Sequence, residues 1–101
     1  MEILYKGSAL APTQILSKVI ITQARFFNPA SRTYFEAFIS NNPTPDSDGY
    51  YDHTLQVTAE MTAEAPVGLY NLELIYDNGK ELVIEACYEN YAKLMESSLT
   101  Y

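Results

Sequence analysis

The feature that most constrains this chain is a pair of β-rich runs joined by a short polar turn. The first run spans residues 69–76, the second spans residues 82–88, and Asp77-Asn78-Gly79-Lys80 lies between them. Gly79, and less readily Asn78, tolerates the positive φ that a tight turn between right-twisted strands demands. The sequence therefore predicts an antiparallel hairpin that turns at Asn78-Gly79.

Alternation of apolar and polar residues assigns the two faces of this hairpin. The predicted inward residues of the first strand are Tyr70, Leu72, Leu74 and Tyr76, and those of the second are Leu82, Ile84, Ala86 and Tyr88. Three acids, Glu81, Glu85 and Glu89, then face solvent. Together with an alternating strand before the hairpin, the pattern predicts a core of Leu55, Val57, Leu72, Leu74, Leu82 and Ile84.

Three more strands are predicted before the hairpin, within residues 18–27, 33–40 and 50–61. The first two are joined across Asn28-Pro29-Ala30-Ser31-Arg32, and a surface loop at residues 41–49 precedes the third. Residues 62–68 form a connector that can include one helical turn. We expect residues 1–14 to be an arm or edge strand followed by a loop, residues 15–90 to be the domain, and residues 91–101 to be a C-terminal arm.

These short strands with turn signals between them predict an all-β fold. The expected architecture is an immunoglobulin-like antiparallel β-sandwich of about five to seven strands, with flexible or docking terminal segments. A small barrel is the alternative.

Composition narrows the class of protein further. A chain of 101 residues can bury one core unaided, and its net charge of −7 argues against free nucleic acid as a partner. No apolar run is long enough to span a membrane, and no secretory signal is present. A single cysteine, Cys87, cannot form an internal disulfide, so synthesis in a reducing cytoplasm is expected.

Candidate catalytic and metal chemistry is weak. The segment from Asp46 to Asp52 has alternate carboxylates and a glycine, as calcium loops do, but lacks the closing glutamate, so a solvated turn is the preferred interpretation. His53 beside Asp52 has no predicted nucleophile to serve, and we expect a lone surface histidine at a strand entry. Cys87 is interpreted as a small hydrophobe. No cofactor, metal or enzymatic activity is predicted.

The tyrosine residues suggest one further function. Aromatic rings with hydroxyl groups suit carbohydrate, so exposed tyrosines define an alternative role in binding sugars or a host surface. Packing in a core or interface explains them equally well. The candidates are Tyr34, Tyr50, Tyr51, Tyr70, Tyr76, Tyr88, Tyr91 and Tyr101.

Residues 55–62 followed by residues 65–80 resemble small immunoglobulin-like modules of tailed-phage virions. In such modules a strand enters a threonine-containing connector, and a Gly-x-Tyr start, here Gly68-Leu69-Tyr70, opens the next hairpin. The resemblance covers about residues 55–89. It implies a non-enzymatic capsid auxiliary or decoration protein, located in the virion and made in the host cytoplasm. Its implied partners are the major capsid protein or other virion structural proteins. Tail, baseplate or head-fibre adaptors are the alternatives.

Apolar residues outside the predicted domain are the expected docking contacts. They are Ile3, Leu4, Tyr5, Leu94, Met95, Leu99 and Tyr101. Two interpretations remain open: they bind another virion protein or a second copy of this chain, or they complete the core.

Overall fold

The computed structural model describes residues 1–96, which contain seven strands and one short helix. The strands are β1 (Glu2–Tyr5), β2 (Leu10–Ser17), β3 (Gln23–Asn28), β4 (Thr33–Asn41), β5 (Tyr51–Val57), β6 (Gly68–Asp77) and β7 (Leu82–Met95). The helix α1 (Ala59–Ala63) lies between β5 and β6. The predicted all-β fold is therefore confirmed.

The strands pair in the order β1-β7-β6-β3-β4-β5-β2. All neighbours are antiparallel except β1 and β7, which run parallel. Strand β4 links two parts of this order, because residues 33–37 pair with β3 whereas residues 38–41 pair with β5. The result is a strongly curved, nearly closed sheet with β1 and β2 at its two edges.

The β6–β7 hairpin is present as predicted, but its turn is longer. Asp77 pairs with Leu82, so four residues, 78–81, form the connection. Gly79 has a φ of 92°, and the Oδ1 atom of Asn78 accepts hydrogen bonds from the Lys80 and Glu81 N–H groups at 2.9 and 3.0 Å. Asn78 therefore shapes this turn through its side chain, while Gly79 alone supplies the positive φ.

Two early segments differ from the prediction. Strand β2 begins at Leu10, where a loop was predicted, and the next strand begins at Gln23 instead of Lys18. Pro12 is accommodated because it lies at an irregularity in the β2–β5 pairing, between Leu10 and Thr13. The prediction of a loop is wrong here because proline is tolerated at a bulge of an edge strand as well as in a loop.

The strand predicted to reach Met61 ends at Val57, because Thr58 caps α1 there. Its hydroxyl accepts a hydrogen bond from the Met61 N–H at 3.4 Å, and the Thr58 N–H points to the sulfur of Met61. This pair of contacts is a capping box, which starts a helix in spite of the alternating pattern.

The core contains four of the six predicted residues. Leu55, Val57, Leu72 and Leu74 are buried in one cluster, which also includes Phe26 and Tyr70. The other two predictions are wrong, since Leu82 is 57% exposed and Ile84 is 49% exposed.

A bulge and the length of the hairpin explain this error. The register shifts between Leu74 and Ile75, so Ala86 pairs with Leu74 but Ile84 pairs with Ile75, and the Ile84 side chain is exposed although Ile75 is buried. Beyond Ile75 the hairpin has no third strand beside it, because β3 pairs with β6 only as far as Ile75. Simple alternation cannot detect either effect.

Candidate protein-interaction surface

The docking residues predicted from the sequence divide between the core and the surface. Leu4 and Leu94 are register partners in the parallel β1–β7 pair, and both are buried in the core cluster. For these two residues the structure supports the second interpretation, completion of the core, because β7 continues to Met95 and gives β1 a strand to pair with. Leu99 and Tyr101 lie outside the described residues.

The remaining predicted residues lie on the outer face of the same strands. Side chains alternate along a strand, so Ile3 and Tyr5 point away from the core that holds Leu4, as Met95 does beside Leu94. Ile3 is 44% exposed and Met95 is 39% exposed, whereas Tyr5 is partly buried.

Two residues that sequence reasoning missed extend this surface onto β6. Leu69 shares Lys93 as its register partner with Ile3, so the three form one row across β6, β7 and β1. Val67 lies just before β6 and is 46% exposed. We call the set Ile3, Tyr5, Val67, Leu69 and Met95 the outer patch. Leu69 was detectable in the sequence, because alternation places it opposite the buried Tyr70.

An open depression of 340 Å³ adjoins the outer patch and shares Val67 and Met95 with it. Its lining residues are Val67, Gly68, Lys93, Leu94, Met95 and Glu96. Apolar atoms dominate, and the two charged side chains, Lys93 and Glu96, are of opposite sign. Such a surface can bury apolar side chains of a partner and add polar contacts at the rim.

The segment that resembles a calcium loop is a self-contained turn. The Oδ1 atom of Asp46 accepts hydrogen bonds from the Asp48 and Tyr50 N–H groups, both at 2.9 Å. Gly49 takes a φ of 85° within it. Within residues 1–96, no three His, Cys, Asp or Glu side chains come together as a metal site requires.

His53 is not the surface residue that the sequence predicts. It has no exposed surface, and its Nε2 atom accepts a hydrogen bond of 2.9 Å from the Ile21 N–H. Its Nδ1 atom lies 3.2 Å from the Ile15 carbonyl oxygen and therefore carries the proton. The neighbouring Asp52 is exposed, on the other face of β5. Both ring nitrogens thus bind backbone, and His53 is structural.

Cys87, the buried Tyr70 and the partly buried Tyr91 are poor acid–base groups. Burial raises the pKa of the Cys87 thiol above its ordinary value, and the Glu73 and Glu89 carboxylates raise this pKa further. Burial likewise raises the pKa of the Tyr70 and Tyr91 hydroxyls. All three groups stay protonated near neutral pH and supply neither a nucleophile nor a base.

Two of the candidate tyrosines meet in a second concave region. A groove of 270 Å³ lies between β2 and β7, and we call it the edge groove. It is lined by Leu16, Ser17, Lys18, Tyr50, Leu74, Glu85, Ala86 and Tyr88. Tyr34, the most exposed tyrosine among the described residues, is elsewhere, with the Arg25 guanidinium 5.1 Å from its ring centre.

No family model, no curated protein and no solved structure matches this chain. In the described part of the chain, no helix is long and apolar enough to cross a membrane.

Proposed function

We propose that this protein is a non-enzymatic structural component of a tailed-phage virion, an immunoglobulin-like capsid auxiliary protein that binds major capsid subunits. The observation that carries the docking role is the outer patch, on which Ile3, Leu69 and Met95 are exposed on the same face of three neighbouring strands, with Lys93 between Ile3 and Leu69. The assignment to a virion and its capsid rests on the resemblance of residues 55–89 to phage modules.

The strand order supports the immunoglobulin-like part of the proposal. If β1 to β7 are matched with strands A to G of an immunoglobulin domain, β3-β6-β7 corresponds to the C-F-G sheet. Strands β4, β5 and β2 correspond to D, E and B of the other sheet. Two pairings differ: β1 pairs with the G-like β7 and not with the B-like β2, and the C-like β3 pairs with the D-like β4, which joins the two sheets.

Tyr70 also supports the immunoglobulin-like part of the proposal. It stands at the start of the F-like strand β6, two residues before the core residue Leu72, and its hydroxyl donates to the Pro66 carbonyl oxygen. A tyrosine that bonds backbone a few residues upstream at this corner is a recurrent feature of immunoglobulin domains. Phe26, which pairs with Leu72 on the C-like strand, fills the centre of the core.

The experiment that tests the docking role compares negative charge introduced on the outer patch with negative charge introduced elsewhere. Ile3→Glu with Leu69→Glu places two carboxylates where apolar contacts are expected, and Leu82→Glu, which places one carboxylate on the projecting hairpin, is the control. We expect the double variant to fold but to lose binding to capsid particles, while the control binds as the parent does. Equal binding by all three proteins contradicts this role for the outer patch.

A further inference from the structure

We propose that the free edge of β2 is a docking site for an extended segment of another protein, one that alternates apolar and basic side chains. This site goes beyond the outer patch, which lies on the strands at the opposite edge of the sheet.

The first argument is that this edge is regular and lacks the features that keep edge strands from pairing. Within the described residues β2 pairs only with β5, and residues 13–17 keep an uninterrupted register with residues 51–55. No proline, charge or bulge interrupts them, and Leu16 is 54% exposed. A strand edge of this kind presents unpaired N–H and C=O groups that an added strand can satisfy.

The edge of β7 that faces β2 is less suited to pairing with an added strand, so we assign docking to β2. Between Leu82 and Tyr91, β7 carries two register irregularities and two exposed acids, Glu85 and Glu89, and the exposed Glu81 lies just before it. Asn90 has a φ of 53° at the second irregularity and donates its N–H to Asn71 Oδ1 at 3.0 Å. Bulges and charges of this kind keep other strands from pairing with an edge.

The second argument is the edge groove, which lies between these two edges. Its floor is Leu74, a core residue only 2% exposed, and its walls include Leu16, Tyr50 and Tyr88. An extended segment beside β2 places alternate side chains in this groove, where apolar ones are favoured by contact with Leu74 and the tyrosine rings.

The third argument is charge, which identifies the partner. Glu85 lines the groove, and Glu89 lies on the same strand; the one basic lining residue, Lys18, has its Nζ atom 5.3 Å from the Tyr50 ring centre. Basic side chains on the incoming segment complement the Glu85 and Glu89 carboxylates. A second copy of this chain is disfavoured, because each copy carries a net charge of −7.

The test uses a synthetic peptide of about six residues that alternates valine and lysine, long enough for one short strand. It is titrated into isotopically labelled protein, and backbone amide shifts and hydrogen exchange are followed by NMR. We expect the largest shifts, and new protection from exchange, at residues 14–17. A peptide alternating glycine and lysine has the same charge without apolar side chains, and we expect it to bind at least about tenfold more weakly.

Two variants with the same change in charge test whether the peptide binds specifically at the β2 edge. Leu16→Lys places a cation on the β2 edge and should weaken binding of the valine–lysine peptide by about tenfold or more, whereas Leu82→Lys should leave binding unchanged. Shifts confined to other residues, equal binding of both peptides, or equal effects of both variants overturn the proposal. So does a groove that binds glycans on an array through Tyr50 and Tyr88 but neither peptide. None of these outcomes bears on the outer patch, which contains neither Leu16 nor Leu82.

Discussion

The Ile21 N–H donates a 2.9 Å hydrogen bond to Nε2 of His53, so a fully buried histidine holds the segment that crosses from β2 to β3. Because Nδ1 of the same ring donates to Ile15, one side chain joins β5 to β2 and to the start of this crossing. Residues 18–22, predicted as strand, are thus held by a side chain.

Replacing His53 should destabilise the fold strongly. His53→Leu leaves the buried Ile21 N–H without its partner, at a cost of about 1–3 kcal/mol, and also removes the contact with the partly buried Ile15 carbonyl oxygen. Asp52→Asn, on the exposed face of the same strand, is the control and should stay within about 0.5 kcal/mol of the parent. The measurement is urea denaturation, and equal midpoints for both variants are inconsistent with a structural His53.

The hairpin turn gives a second prediction. Gly79→Val should destabilise the fold by about 1 kcal/mol or more, because a β-branched residue resists the φ of 92° found there. No atom lies within 4 Å of the position that a Cβ would take, so the effect reports backbone strain alone. Gly79→Asn should cost less, since asparagine tolerates positive φ. If the two variants have equal thermal midpoints, strain at Gly79 does not limit this turn.

The core and the projecting part of the hairpin should respond differently to truncation. Leu72→Ala and Leu74→Ala should each cost about 2–5 kcal/mol, because both side chains are buried. Leu82→Ala and Ile84→Ala, at exposed positions of the facing strand, should each cost within about 0.5 kcal/mol. Chemical denaturation of the four variants checks this contrast. A large loss at Ile84 would show that the bulge between Leu74 and Ile75 is misplaced.

Cys87 should react slowly despite its exposed position. Its thiol pKa is raised, first because neighbouring atoms displace part of its hydration and then by Glu73 and Glu89, so the reactive thiolate forms only at a higher pH than in a free cysteine. The alkylation rate with iodoacetamide, followed from pH 7 upward, should therefore have its midpoint above that of free cysteine. Removing one nearby negative charge with Glu89→Gln should lower that midpoint. A midpoint below that of free cysteine is incompatible with this environment.

Local sequence signals predicted the parts of the fold that depend on them. The β3–β4 connection is one case. Its residue types predict a turn, and in that turn the Asn28 side chain accepts hydrogen bonds from the Ala30 and Ser31 N–H groups. The burial of Leu72 and Leu74 is another, since strict alternation carries that information.

Features that depend on partners distant in sequence were not predictable in this way. Leu4 has an apolar neighbourhood in sequence, yet only its pairing with Leu94 makes it a core residue. His53 is similar, because its two backbone partners belong to segments 32 and 38 residues away. The outer patch combines both cases: Ile3, Tyr5 and Met95 were predicted contacts, while Val67 and Leu69 join them only through the pairing of β6 with β7.

The proposal of a virion auxiliary protein is tested most directly by the copy number of this protein in purified phage particles, measured by quantitative mass spectrometry. Particles carrying the parent protein should contain it in a fixed ratio to the major capsid protein. Particles assembled with the Ile3→Glu and Leu69→Glu double variant should lack it, while the Leu82→Glu control is incorporated normally. Absence of the parent protein from washed particles, or full incorporation of the double variant, contradicts the account.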